Sequence, residues 1–152
     1  MKSFKKYVGV CLLFAVLVSN PVNASECSMV VNSNDAMQFD TTSMTAPSAC
    51  TKLTVTLNHT GTLPANAMGH NWVLTKASDF QEIANAGMSA GLENNYVPVG
   101  DDRVIAASKI IGGGESTEVV VDLSGLSVDE EYTFFCSFPG HWSIMKGSFT
   151  LS

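Results

Sequence analysis

Cys136, His141 and Met145 lie close together in the run Tyr132-Thr-Phe-Phe-Cys136-Ser-Phe-Pro-Gly-His141-Trp-Ser-Ile-Met145. The spacing is C-x4-H-x3-M. A thiolate, an imidazole and a thioether supplied by one loop are soft donors, suited to copper in either oxidation state and poorly suited to magnesium or calcium. One loop does not complete a metal site, so a second imidazole is wanted, and Gly69-His70-Asn71-Trp72 offers it at the start of another strand-like segment. Two ring nitrogens, one thiolate and a weak axial thioether form the blue-copper donor set.

Each donor alone has a plainer explanation. A single Cys beside Phe134 and Phe135 is usually a small buried hydrophobe, a Met four residues after a His usually fills a core, and His70 or His141 separately reads as an ordinary polar residue at a strand end. The combination reverses this, because all four donors fall at strand-to-loop junctions of a chain whose cysteine count leaves one thiol over. Zinc sites rarely recruit a thioether, so a zinc-bound structural sandwich is the weaker reading. Other motifs carry no chemistry. Gly112-Gly113-Gly114 has no following Lys-Ser or Lys-Thr and reads as a flexible turn, not a phosphate loop. Asp101-Asp102 and Asp129-Glu130-Glu131 lack the alternating oxygen ligands of a calcium loop, and no serine sits in a G-x-S-x-G elbow.

The cysteine arithmetic depends on where the exported chain begins. Lys2, Lys5 and Lys6 precede an apolar stretch from Tyr7 to Val18, and Ser19-Asn20-Pro21-Val22-Asn23-Ala24 ends it with polar and small residues. This is the three-part pattern of a secretory signal, too short for the roughly 20 residues of a membrane span. Residues 1–24 are therefore expected to be cleaved before Ser25, leaving residues 25–152 as one exported domain. Cys11 leaves with the signal. Cys27 and Cys50, near each other in sequence at the edges of strand-like segments, are the natural disulfide in an oxidising compartment, and Cys136 remains.

The elements that must position these donors read as strands. The chain has 152 residues, 45% of them hydrophobic, enough for one packed core. Alternation recurs in Leu53-Val55-Leu57, Val119-Val121 and the segment Ile144 to Leu151, separated by turns at 58–61, 112–114, 123–125 and 138–140. Seven or eight short strands imply an all-β, Greek-key sandwich. Phe80, Ile83, Ala84 and Gly87 break the pattern with helical spacing, and Ser78 with Gln81 resembles a capping box, so one short helix is expected over residues 78–88. Formal charge is −6. Loss of the leader removes three lysines and no acid, leaving five cations against fourteen acids, a charge of −9. Such a surface repels phosphate backbones, and nucleic acid is not expected as a partner.

Over its whole exported part the sequence resembles the cupredoxin family: Glu26-Cys27-Ser28, Met37-Gln38-Phe39, Met68 through Leu74, Arg103-Val104-Ile105-Ala106, Phe134-Phe135-Cys136 and Met145-Lys146-Gly147. The resemblance implies one type 1 copper per chain. His70, Cys136 and His141 would be its strong equatorial ligands, with Met145 and the carbonyl of Gly69 as weak axial contacts on opposite sides. It also implies a Cys27–Cys50 disulfide and a helix-bearing flap outside the sandwich. Asn71 resembles the residue that ties the two ligand loops together, and the amides of Asn71 and Phe138 would donate to the Cys136 sulfur and tune the potential. Trp72 corresponds to the family's buried core tryptophan. His59 aligns with a histidine that titrates in some members and reads equally well as a buried structural residue.

A rigid copper site passes single electrons, so the expected function is electron shuttling between redox partners such as a cytochrome c or a copper-dependent reductase. These would dock at an apolar patch formed around His141 by Met37, Leu63, Met68, Met88, Phe138 and Pro139, the loop bringing the ring edge of His141 to the surface. Trp142 departs from the small or polar residue more usual in the family, and would either enlarge that face or shield His141. The mature protein is expected to be a soluble monomer and not an enzyme, since protein donors fill the site. The alternative reading is a periplasmic module for copper delivery or storage, which would release its metal; no exposed Met/His run beyond the loop supports it.

Overall fold

Alternating apolar residues turn one face of each long strand inward. In β1 (Cys27–Asn34), Val31 and Ser33 are buried. The two-residue β2 (Gln38–Phe39) and β3 (Ser43–Ala46) follow, and in β4 (Lys52–His59) Leu53, Val55, Leu57 and His59 point indoors. The remaining strands are β5 (Val73–Lys76), β6 (Ala106–Ala107), β7 (Ser116–Asp122), β8 (Tyr132–Phe135) and β9 (Lys146–Leu151). The computed structural model describes residues 27–152. The expected leader, residues 1–24, lies outside the described residues.

The strands form two sheets, of order β2-β1-β4-β7 and β3-β9-β8-β5-β6. β1 runs parallel to β4 and β3 parallel to β9, and the other pairings are antiparallel. This is the expected sandwich, with nine strands among the described residues in place of seven or eight, the surplus being the two-residue β2 and β6. Between the sheets lie Trp72, Phe134 and Phe149, all fully buried. Trp72 stacks on Phe134 at 6.0 Å and meets Phe149 edge-on at 6.4 Å, as the expected core tryptophan should. Cys27 and Cys50 are joined, closing a stretch of 23 residues across the end of β1 and β4.

The helical segment lies outside this core. A one-turn helix, α1 (Ala65–Met68), precedes it in a stretch that reads as loop in the sequence. The expected helix is α2 (Phe80–Ala90), shifted by two residues from 78–88. Its start is Asp79, without a side-chain cap, so the Ser78–Gln81 box does not form. It runs through Gly87 because a side chain there would strike the carbonyl of Tyr96, and it ends at Gly91, whose φ of 76° suits glycine. The flap formed by α2 and the chain up to residue 105 packs on the outer face of the five-stranded sheet. Ile83 and Ala84 join Val73 and Phe135 there, bordered by Phe80, Val97, Val104 and Trp142. Arg103 fastens its rim, bridging Asp101 at 2.8 Å and Glu82 on α2 at 2.6 Å.

Candidate metal centre

His70, Cys136 and His141 come from one end of the antiparallel β5–β8 pair. Val73 pairs with Phe135, so the residues just before β5 and just after β8 emerge side by side. His70 is fixed by an isolated bridge, its N–H donating to the Ile111 carbonyl at 3.0 Å and its carbonyl accepting the Ile111 N–H at 2.9 Å. Behind it the glycine triplet is wedged in place. A Cβ at Gly112 would meet the Ala65 backbone nitrogen at 2.7 Å, and one at Gly113 the Thr62 backbone at 2.5 Å. The triplet forms the turn expected from the sequence, running into β7, and two of its three glycines are needed because the loop before His70 lies directly against them.

The three side chains converge. Cys136 Sγ lies 3.8 Å from His70 Nδ1 and 3.6 Å from His141 Nδ1, and the two nitrogens are 3.2 Å apart. A circle through atoms at these separations has a radius of about 2.1 Å, close to the ≈2.0–2.1 Å of a metal–imidazole bond and the ≈2.3 Å of a metal–thiolate bond. One ion of first-row size therefore fits in the plane of all three donors. The Gly69 carbonyl oxygen is 3.9 Å from the same sulfur. Met145 is 1% exposed and joins the same loop, its N–H donating to the His141 carbonyl at 2.7 Å and its carbonyl accepting the Cys136 N–H at 3.0 Å.

Electrostatics prepare the donors. His70 Nε2 donates to the Asn34 carbonyl at 2.8 Å, which puts the proton on Nε2 and leaves Nδ1 with its lone pair toward the cluster. Burial pushes the His70 imidazole down to about 4, against the raising effect of the Asn34 carbonyl, and burial likewise brings His141 to about 4. Both rings are therefore neutral ligands at pH 7. Burial pushes the Cys136 thiol up to about 12, opposed by the amides of Asn71 and Phe138, which donate to its sulfur. A thiol held this high ionises only when a cation takes the place of its proton.

The surrounding shell is tightly tied. Asn71, wholly buried, donates through Nδ2 to the Asn95 carbonyl at 2.9 Å and to Ser137 Oγ at 2.8 Å, and accepts the Ser137 N–H at 2.8 Å. It thus ties the segment that carries His70 to the loop that follows Cys136, as expected. His59 is stacked on His70 at 4.4 Å, donates from Nε2 to the Met68 carbonyl at 2.9 Å, and accepts the Gly61 N–H on Nδ1 at 3.0 Å. Both its ring nitrogens thus have hydrogen-bond partners. Of the expected apolar patch, Leu63, Met88 and Pro139 are exposed and Met37, Met68 and Phe138 half-buried, so none is a core residue. His141 itself is 3% exposed, roofed by the Phe138 ring at 4.5 Å, and reaches the surface less than its loop position suggests. Trp142 turns onto Phe80 of α2 at 6.2 Å.

Sequence reasoning missed Asn34, Asn95 and Ser137. Asn34 acts through its carbonyl, which any residue carries, so its identity holds no signal. Asn95 betrays itself only by conformation, a φ of 56° in an Asn-Asn-Tyr run where asparagine tolerates the left-handed region.

The family described as copper binding proteins, plastocyanin/azurin family, matches residues 25–152. Azurin of Bordetella pertussis is 49% identical over 148 residues, covering 97% of this chain and 98% of the relative. Azurin of Pseudomonas aeruginosa is 48% identical over 147 residues, with 97% and 98% covered. Among solved structures, an azurin from the obligate methylotroph Methylomonas sp. strain J superposes with a TM-score of 0.81 at 48% identity, over 84% of this chain and 99% of that one.

Proposed function

This chain belongs to the plastocyanin/azurin family of copper binding proteins, and we propose that it is a blue-copper carrier of single electrons. The observation that carries the reading is the triangle of Cys136 Sγ, His70 Nδ1 and His141 Nδ1, of a size for one ion and closed off from water. Those three residues would hold the copper strongly, with Met145 and the Gly69 carbonyl as weaker donors. Bound copper supplies the Cu(I)/Cu(II) couple. The protein's part is to hold the donors still: the Asn34 carbonyl orients His70, the Asn71 side chain locks the two ligand loops, and the Asn71 and Phe138 amides stabilise charge on the sulfur. Donors that do not move between oxidation states keep the barrier to transfer small.

Protein donors would fill the coordination sphere of a bound copper and leave no position for a substrate, so no enzymatic turnover is proposed. Redox proteins such as a cytochrome c or a copper-dependent reductase dock at the apolar patch of Met37, Leu63, Met68, Met88, Phe138 and Pro139, and electrons pass through the ring of His141. Residues 1–24 direct export to the periplasm and are removed, leaving a single cupredoxin domain, 25–152, as a monomer. Among the described residues no helix is long and apolar enough to cross a membrane. Burial of all three strong donors disfavours copper delivery, which requires an accessible ion.

A spectroelectrochemical titration of the copper-loaded protein tests this directly. A reversible one-electron curve, with metal retained through repeated cycles, is expected. Loss of the ion on reduction would overturn the carrier reading in favour of delivery.

A further inference from the structure

The loop that bears His141 is attached to the rest of the protein by few groups. Among the described residues, most backbone hydrogen bonds of 138–144 close on the loop itself, His141 N–H to Phe138 and Ile144 and Met145 N–H to His141, and one, from the Lys146 N–H to the Ile144 carbonyl at 3.1 Å, leads into β9. Outside it stand the Asn71 and Asn95 contacts to Ser137 and the pairing of Cys136 with Met145. Within the site the Phe138 amide donates to the Cys136 sulfur and His141 contacts His70 and Cys136, and two aromatic contacts reach the flap, one on each side of His141. Trp142 meets Phe80 edge-on at 6.2 Å, and Phe80 continues to Phe135, next to Cys136, at 5.0 Å and is capped by the Lys146 ammonium at 4.9 Å. Tyr96 meets Phe138 edge-on at 5.3 Å, and Phe138 covers His141.

Two further observations show that these contacts are imposed. Asn95 and Tyr96 are consecutive non-glycine residues with φ of 56° and 53°, a strained arrangement that persists only where the surroundings enforce it. It is enforced by the Asn95 carbonyl, which accepts from Asn71 and Ser137, by the Asn95 side chain on the Ile110 N–H, and by the close fit of the Tyr96 carbonyl over Gly87. On the other side, the Trp142 Nε1–H is buried without a partner. Burial of that donor accompanies the ring's packing on Phe80 and at the border of the Val73–Phe135 cluster.

We propose that the flap is the brace of the ligand loop, with Trp142 and Tyr96 as positioning residues that grip the loop through Phe80 and Phe138 and so fix His141. The brace acts on the site described above, and its effect on electron transfer rests on that reading. Its mechanical part does not, because the contacts exist whatever the ion.

Amide hydrogen exchange, measured on both metal-free and copper-loaded protein, separates the two. Trp142→Ser is expected to speed exchange at 139–145 about tenfold while β4 and β8 stay protected, the scale set by losing one aromatic contact. Trp142→Phe, which keeps a ring and removes the orphaned donor, restores protection. Tyr96→Leu loosens the same loop from its other side, and Phe80→Ala added to Trp142→Ser changes loop exchange less than twofold further. In the copper-loaded variants the Cu(II) hyperfine lines broaden with the loop. Unchanged loop exchange in Trp142→Ser, equal acceleration throughout the domain, or failure of Trp142→Phe to rescue would overturn the brace. A protein that binds no copper yet shows the loop effect would overturn the function reading and leave the brace standing.

Discussion

Loading the site with metal should release a definite number of protons, and that number changes with pH. With the Cys136 thiol at about 12 and both imidazoles at about 4, the metal-free protein at pH 7 holds one proton on sulfur and none on the Nδ1 atoms. Binding then expels about one proton. At pH 4 each imidazole is half protonated, so about two are expelled. Isothermal titration in buffers of different ionisation enthalpy measures this count, with zinc first, to avoid metal-driven oxidation of the thiol, and copper(II) second. Cys136→Ser should bring the count at pH 7 to about zero, since a serine hydroxyl is not readily displaced of its proton. A wild-type count near zero at pH 7 would mean that Cys136 is already ionised or does not bind. A count near two would mean that an imidazole is charged at neutral pH. Either result refutes the electrostatic account of the site.

The same histidines make the metal-free protein sensitive to acid. Their folded values lie below the unfolded 6.5, so the unfolded chain binds protons first; stability is complete above pH 6.5 and lost as pH falls toward 4, on the order of 3 kcal/mol per histidine. Denaturant midpoints of metal-free protein at pH 7 and pH 4.5 check this, and equal midpoints would contradict it. Asn71→Ala leaves the Ser137 N–H buried without its acceptor and removes two donors to Asn95 and Ser137, so the unfolding free energy should fall by about 2–4 kcal/mol. A loss under about 0.5 kcal/mol, with an unchanged denaturant slope, would show that the loops are held by other means.

How much of this was legible in the sequence follows from what each feature depends on. The strands were legible because burying one face writes itself as alternation, as in Leu53-Val55-Leu57, and the donors because soft ligands at loop junctions have few other uses. The Cys27–Cys50 bridge followed from counting thiols. The start of α2 was misplaced because Asp79 serves as its cap without a side-chain bond, leaving nothing for a capping motif to reveal. The glycine triplet was legible as a turn, but the close packing it permits against Thr62 and Ala65 depends on tertiary placement alone. The short β2 and β6 are pairing by proximity, with no periodicity long enough to read. Asn34 and the roof of Phe138 over His141 depend on tertiary placement alone.

The central claim is that the Cys136 thiolate and the imidazoles of His70 and His141 would together hold a cupric ion, and the visible absorption spectrum of copper(II)-loaded protein tests it most directly. An intense sulfur-to-copper band that colours the protein blue, abolished by Cys136→Ser and bleached reversibly by one electron, is the predicted result. A loaded protein that stays colourless, or one whose colour survives Cys136→Ser, would contradict it.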